Sequence, residues 1–145
     1  MQFPKSIAIY AIHPSTKTLY SFKNSKYDAS APAHYHVAIS VSDNTFVLLA
    51  MITSQGEKRK DYYKHNEKAL QSVIDIDSTD ISILTKKSVI DCNQPLYYTR
   101  EELDLLVDGD IENLEATISK EIITKIKIAI QNSPLVKPVV KKVIV

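Results

Sequence analysis

Two apolar runs separated by three turn-forming residues are the feature that most constrains how this chain folds. The runs cover residues 34–41 and 45–53, and Ser42-Asp43-Asn44 between them tolerate tight turn geometry. The pattern predicts a β-hairpin. Its second arm is apolar at nearly every position from residue 46 to 52, which is typical of a strand covered on both faces. We therefore predict that this strand lies at the centre of the core.

Shorter β-branched and aromatic runs predict further strands on both sides of the hairpin. They cover residues 7–12, 17–22, 69–76, 80–84 and 88–92. The polar stretches at residues 23–32 and 54–65 lack a regular period and predict loops. The tail from residue 135 to 145 contains Pro138, which has no backbone donor, so any strand there would lie at a sheet edge.

Two capping patterns predict helices in the last third of the chain. Thr99 is followed three residues later by Glu102, the spacing of a capping box, which predicts a short helix to about residue 107. Ser119 begins a second predicted helix over residues 119–132. Its Ile122, Ile126, Ala129 and Ile130 fall on one face before Ser133-Pro134 ends it.

The length and composition indicate one domain over residues 1–145. Hydrophobic residues make up 44% and charged residues 24%, which excludes a mainly disordered chain. We predict an α+β fold with a strongly bent antiparallel sheet of about five to seven strands and two or three appended helices. Because no signal sequence and no run of about 18 apolar residues is present, we predict a cytoplasmic protein without membrane contact. The single cysteine, Cys92, fits a reducing compartment.

The charge balance limits where a polyanion could bind. The net charge is +1, so a nucleic-acid site would have to be a local patch. One such patch follows the central predicted strand, where lysines could neutralise phosphates and tyrosines could stack on bases. Its candidate RNA-binding residues are Ser54, Gln55, Lys58, Arg59, Lys60 and Tyr62. The alternative interpretation of this segment is a solvated connection.

His34 and His36 form a second constellation that could carry chemistry. They lie two residues apart on a predicted strand, so their side chains share one face at about 7 Å. A metal site usually needs three or more ligands, and no third residue has a diagnostic spacing to this pair. We predict neither a metal nor a cofactor. A structural role, nucleic-acid contact and catalysis all remain open for the pair.

The order of the segments resembles that of the PemK/MazF-like toxin family and its relatives among RNA-inhibited toxins. The resemblance covers roughly residues 33–132. Residues 34–40 occupy the place of the family's Arg-Pro-x-Val-Val-Val-Ser segment, and Ile52-Thr53-Ser54 matches the end of its Pro-Ile-Thr-Ser strand. Residues 88–94 resemble the family's later strand that carries a Cys-Asp-Gln-like triplet.

The resemblance implies an SH3-like small barrel, often dimeric, that acts as a sequence-selective endoribonuclease on single-stranded RNA without a metal. Thr53 would take the place of the active-site threonine, and His34 falls where the family has its catalytic arginine. Histidine is only partly charged at neutral pH but can act as a general acid or base. In this hypothesis the RNA 2′-hydroxyl attacks the adjacent phosphate. His34 or His36 relays the proton, Thr53 holds a phosphate oxygen, and Lys58 and Arg59 stabilise negative charge.

Two other functions fit the same sequence. The first is a non-catalytic RNA- or protein-binding module, which the loss of the arginine favours. The second is a structural accessory protein of a phage or plasmid. The toxin hypothesis predicts three partners: RNA, an antitoxin made of protein or RNA, and a second copy of the chain. It requires the two histidines and Thr53 to open onto one cationic groove.

Overall fold

The computed structural model describes residues 4–12, 19–24 and 33–145. The strands are β1 (Leu19–Asn24), β2 (His34–Ile39), β3 (Phe46–Thr53), β4 (Val73–Ile76), β5 (Ser88–Thr99) and β6 (Val107–Leu114). The helices are α1 (Lys5–Ala11), α2 (Gly56–Tyr62), α3 (Glu67–Gln71), α4 (Arg100–Leu106), α5 (Lys120–Asn132) and α6 (Pro138–Val143).

The strands form one antiparallel sheet in the order β4-β5-β3-β2-β1-β6. Register shifts in the β1–β6 and β3–β5 pairs mark irregularities of the kind that bend and twist strands. Within the described residues β4 and β6 do not pair with each other, so the sheet is not closed into a barrel. The predicted α+β fold with an antiparallel sheet is confirmed. The SH3-like barrel is wrong, and among the described residues six helices accompany the sheet instead of the predicted two or three.

The central hairpin forms as the sequence predicts. Its arms are β2 and β3, which pair antiparallel from Tyr35 opposite Ile52 to Ile39 opposite Leu48. In the turn, the Asp43 carboxylate accepts hydrogen bonds from both the amide and the hydroxyl of Thr45. Every residue of β3 after Phe46 is buried, because its two faces contact two separate parts of the core.

Each face of the sheet is covered by helices. On one face α5 packs Ile122, Ile126 and Ile130 against apolar side chains of the central strands. On the other face α1 and α4 pack against apolar side chains of β1, β2 and β3. The predicted cap of α5 is confirmed, since Ser119 accepts a hydrogen bond from the Ile122 amide. The capping box of Thr99 and Glu102 is also confirmed at the start of α4.

Several predicted strands and loops are helices in the structure. Residues 7–11 belong to α1, whose buried Ala8 and Ile9 lie on the same side as the buried C-cap residue Ile12, so packing overrides β-propensity. The segment predicted as a loop after β3 contains α2, and the start of the predicted strand at 69–76 is α3. In the tail, Pro138 occupies the first turn of α6, where its missing donor costs nothing.

The remaining differences concern strands. Residues 80–84 contain only an isolated bridge between Ile81 and Ile118, whereas β5 continues to Thr99, well beyond the predicted run. The sequence pattern did not predict β6. Residues 17 and 18 of a predicted strand and residues 25–32 of a predicted loop lie outside the described residues.

Candidate functional site

A cavity of about 400 Å³ opens where β2 begins and β3 ends. The side chains of His34 and Thr53, taken from the two arms of the hairpin, line it together with Ser54 and Gln55. Lys86, from the segment before β5, contributes a cation to the same wall. Four of the residues predicted as site residues therefore meet in one cavity.

A second cavity of about 400 Å³ adjoins the first and shares Ser54, Gln55 and Ser88 with it. We call the two cavities together the lysine groove, because their combined lining includes four lysines. These are Lys58, Lys60, Lys86 and Lys87. Lys60 is paired with Asp75 at 2.7 Å, whereas the other three make no ion pair with any carboxylate of the described residues. Those three lysines are the ones available to an anionic ligand.

His34 has the properties of a proton acceptor at neutral pH. Its side chain is half-buried, and this burial is the main cause that lowers its pKa from the ordinary value. The backbone at Ile52 opposes the shift, and the positive charge of Arg59 adds to it. The imidazole is therefore mostly neutral at pH 7 and can take up a proton inside the cavity.

The Thr53 hydroxyl is held in place by the backbone that follows it. Its Oγ1 accepts a hydrogen bond from the Gln55 amide at 3.1 Å, a contact made where the chain turns out of β3. A hydroxyl that accepts one bond still has its own hydrogen to donate. Thr53 is only 7% exposed, so a ligand would reach it through the cavity and not from open solvent.

His36 does not reach this cavity. It is 0% exposed and stacks on Phe22 with ring centroids 3.9 Å apart. Burial lowers the pKa of His36 to about 3, although the backbone of His34 and Tyr20 opposes part of that shift. Neither ring nitrogen makes a hydrogen bond of good geometry to a described residue. The sheet face is open at His34 but covered at His36. Because the His36 side chain is inaccessible to a ligand, it cannot take the catalytic role predicted for it.

Arg59 and Tyr62 lie on α2 outside the lining of the groove. The Arg59 guanidinium pairs with Asp91 at 3.1 Å, and Arg59 also stacks over the Tyr62 ring at 5.6 Å. Tyr62 is 67% exposed and could still contact a base beyond the groove. Of the three cations predicted in this segment, Lys58 and Lys60 line the groove and Arg59 is bound to a buried carboxylate.

Sequence reasoning missed the residues that come from distant segments. Lys86 and Lys87 fall in the gap between the predicted strands at 80–84 and 88–92, and Asp91 lies in the segment that resembles the toxin family without a role assigned to it. A carboxylate inside an apolar strand is itself a usable signal, since a buried charge requires a partner. Cys92, beside it, is buried, and burial raises the pKa of its thiol, as expected for an unreactive core cysteine.

No family model and no curated protein matches this chain. Among the helices of the described residues, none is long and apolar enough to cross a bilayer. The same residues contain no group of three or more His, Cys, Asp or Glu side chains arranged to hold a metal ion.

Proposed function

We propose that this protein is an endoribonuclease that cleaves single-stranded RNA by attack of the 2′-hydroxyl on the adjacent phosphate, without a metal. One observation carries the proposal. A largely neutral imidazole, a fixed hydroxyl and a lysine line the same cavity, at the end of a hairpin whose sequence resembles the toxin segment. These are the three groups that this reaction needs: a base, a hydrogen-bond donor and a positive charge.

Each of the three groups has a defined role in the proposed reaction. His34 accepts the proton of the 2′-hydroxyl, which its lowered pKa permits at neutral pH. Thr53 donates its hydroxyl hydrogen to a non-bridging phosphate oxygen. The ammonium of Lys86 stabilises the negative charge that builds up on the phosphorane. The 5′-oxygen leaves with a proton from solvent, and a 2′,3′-cyclic phosphate remains.

The groove supports a single-stranded nucleic acid as the ligand. Lys58 and Lys87 extend the positive charge beyond the reacting phosphate, so neighbouring phosphates can bind along the groove. Ser54 and Gln55 line both cavities, so their polar side chains can contact the same RNA strand. We further propose that an antitoxin, either protein or RNA, inhibits the enzyme by covering this groove.

A second candidate is a binding module that holds RNA in the groove without cutting it. The small exposed fraction of Thr53 favours it, because little of the hydroxyl is open to a phosphate that enters the cavity. The absence of an arginine at position 34 favours it as well, since histidine supplies less positive charge to the transition state. Both candidates use the same lysines, and they differ in whether the RNA is shortened.

Cleavage of a mixed RNA pool by purified protein tests the proposal. We expect the wild-type chain to give fragments ending in a 2′,3′-cyclic phosphate. His34→Ala and Thr53→Ala are expected to reduce cleavage at least about a hundredfold, the lower range for loss of a general base or a transition-state donor. Fragment ends and rates are read by sequencing gels and mass spectrometry.

Two matched variants control for nonspecific effects of these substitutions. His65→Ala and Thr124→Ala remove the same residue types at exposed positions outside the groove, and both should cleave like the wild type. If the RNA stays intact at every protein concentration but binds saturably to the groove, the protein is a binding module and the enzyme proposal is rejected. Overexpression that leaves growth unchanged would count in the same direction.

A further inference from the structure

The helix α2 supplies two lysines of the groove although none of its residues is buried. A helix of seven residues is too short to be stable by itself in water, so tertiary contacts must hold it. One contact is at its start, where Gly56 lies against β5. A Cβ at this position would come within 2.9 Å of Val89 Cγ1, so only glycine allows this approach without a shift.

The buried attachment of α2 is the carboxylate of Asp91 on β5, which adds to the exposed ion pair between Lys60 and Asp75 on β4. Asp91 Oδ2 accepts a hydrogen bond from the Tyr63 hydroxyl at 2.8 Å and pairs with Arg59 Nη2 at 3.1 Å. Its Oδ1 accepts hydrogen bonds from the amide of Asn93 at 3.0 Å and from its side chain at 3.2 Å. A carboxylate has about four acceptor positions, and all are occupied here. The side chain of Asp91 is only 1% exposed.

Asn93, the residue that donates to Asp91 Oδ1, is itself held by other elements. The Asn93 side chain also donates to the carbonyl of Ala69 in α3 at 2.8 Å, and it accepts from the Ser133 hydroxyl at 2.6 Å. Ser133 in turn follows the last residue of α5. The carboxylate is therefore held from the sheet, from α3 and from the end of α5, while Arg59 and Tyr63 attach α2 to it.

The strand register places this anchor next to the proposed reaction site. Asp91 pairs with Met51 across β5 and β3, and Val89 pairs with Thr53 in the same ladder. Asp91 and Thr53 therefore point to the same face of the sheet from neighbouring strands, two residues apart in register. The helix that Asp91 holds lies beside Thr53 and carries Lys58 into the groove.

We propose that Asp91 is a positioning residue for RNA binding: through Arg59 and Tyr63 it fixes α2, so that the lysine wall of the groove is formed before RNA arrives. This inference rests on the proposed function for its substrate. A preformed groove avoids the cost of ordering the helix at the moment of binding, which would otherwise weaken affinity. Asp91 acts through α2 and does not contact the RNA itself.

Hydrogen exchange tests the attachment without using RNA. In Asp91→Asn the ion pair with Arg59 is lost, and in the milder variant Tyr63→Phe only one hydrogen bond to the carboxylate is lost. We expect the amides of α2 to exchange about tenfold faster in Asp91→Asn, a change corresponding to about 1.4 kcal/mol, and less so in Tyr63→Phe. The amides of β3 should keep their protection. Asp104→Asn breaks an ion pair with Lys5 elsewhere on the molecule and is the matched control.

Steady-state kinetics then test the effect on the groove. We expect Asp91→Asn to raise KM for RNA about tenfold while kcat stays within about twofold, because uniform binding is lost and the reacting groups are unchanged. Equal acceleration of exchange in α2 and β3 would mean general destabilisation and would overturn the inference, as would unchanged exchange of α2 in both variants. If the wild type cuts no RNA, the proposed function fails, and the affinity for uncleavable 2′-O-methyl RNA decides the positioning role.

Discussion

Two histidines on one strand and one face have different environments in this protein. His34 is at the start of β2, where the sheet face opens into the cavity, and its side chain is half-buried. His36 lies between β1 and β3, opposite Tyr20 and Met51, and stacks on Phe22. A polar ring so placed must remain neutral, because charging it inside the core is costly. Only the outer histidine can therefore exchange protons with a ligand.

The buried imidazole predicts a specific loss of stability in acid. The pKa of His36 falls from 6.5 to about 3 on folding, so between these values the unfolded chain binds a proton that the folded chain does not. This contribution to stability is complete above pH 6.5 and decreases as the pH falls. Between pH 7 and 5 we expect His36 alone to lower the free energy of unfolding by about 2 kcal/mol. Urea titrations at the two pH values measure it.

The substitution His36→Leu removes the titrating group at nearly the same volume. At pH 7 its unfolding free energy should stay within about 1.5 kcal/mol of the wild type, as for other swaps that conserve volume. Between pH 7 and 5 the free energy of unfolding of His36→Leu should decrease by about 2 kcal/mol less than that of the wild type. The exposed His65→Leu should keep the full acid dependence. An acid dependence that is identical in His36→Leu and the wild type would contradict the assignment.

At the scale of elements, the sequence predicts the parts that local pattern determines. The arms of the hairpin and α5 each carry a long apolar pattern with turn or capping residues at the ends, and both form as predicted. The sequence does not predict the short helices α1, α2 and α3. Helices of five to seven residues are stabilised mainly by contacts with distant segments, which local pattern does not contain. The sequence of β6 is rich in acidic residues, and its pairing with β1 is a long-range contact.

The distinction between local pattern and long-range contacts also applies to the candidate site. His34 and Thr53 could be placed together from the sequence because they belong to the two arms of one hairpin, whose register brings them to one end. Lys86 and Lys87 come from the segment just before β5 and reach the groove only through the order of strands in the sheet. Local periodicity does not specify that order, so the pattern did not include them.

The packing of α5 can be tested with two isoleucines on the same helix. Ile126 is completely buried against the sheet, whereas Ile128 is mostly exposed. We expect Ile126→Ala to lower the free energy of unfolding by about 2 to 5 kcal/mol through lost burial and a residual cavity. Ile128→Ala should change it by less than about 0.5 kcal/mol. Equal effects in thermal or urea unfolding would mean that α5 does not pack on the sheet as described.

At the scale of the whole molecule, a net charge of +1 conceals an uneven distribution. The groove is lined by four lysines against two carboxylates, Glu57 and Asp75, whereas the exposed residues of β6 and the start of α4 are largely acidic. The uniform attraction that a basic protein has for nucleic acid is therefore absent. Binding should depend on a few lysines at one location, and this dependence can be measured.

Salt dependence gives that measurement. If Lys58, Lys86 and Lys87 each neutralise one phosphate, the logarithm of the RNA association constant should fall with the logarithm of salt concentration with a slope of about −2. The double substitution Lys58→Gln and Lys86→Gln should bring the slope to about −0.7. Lys125→Gln, in the separate cavity between α3 and α5, should leave it unchanged. A slope that does not respond to the double substitution would place the RNA elsewhere.

The open sheet also has a consequence for self-association. At one margin β6 carries Asp108, Asp110 and Glu112 at exposed positions, and Gly109, with φ near +80°, interrupts the regular strand there. Two molecules meeting along this margin would bring like charges to about 4.8 Å, the spacing of neighbouring strands. At the opposite margin, β4 has only four residues that could pair with a strand of another copy. A continuous sheet shared between copies is thus disfavoured at both margins of the described sheet.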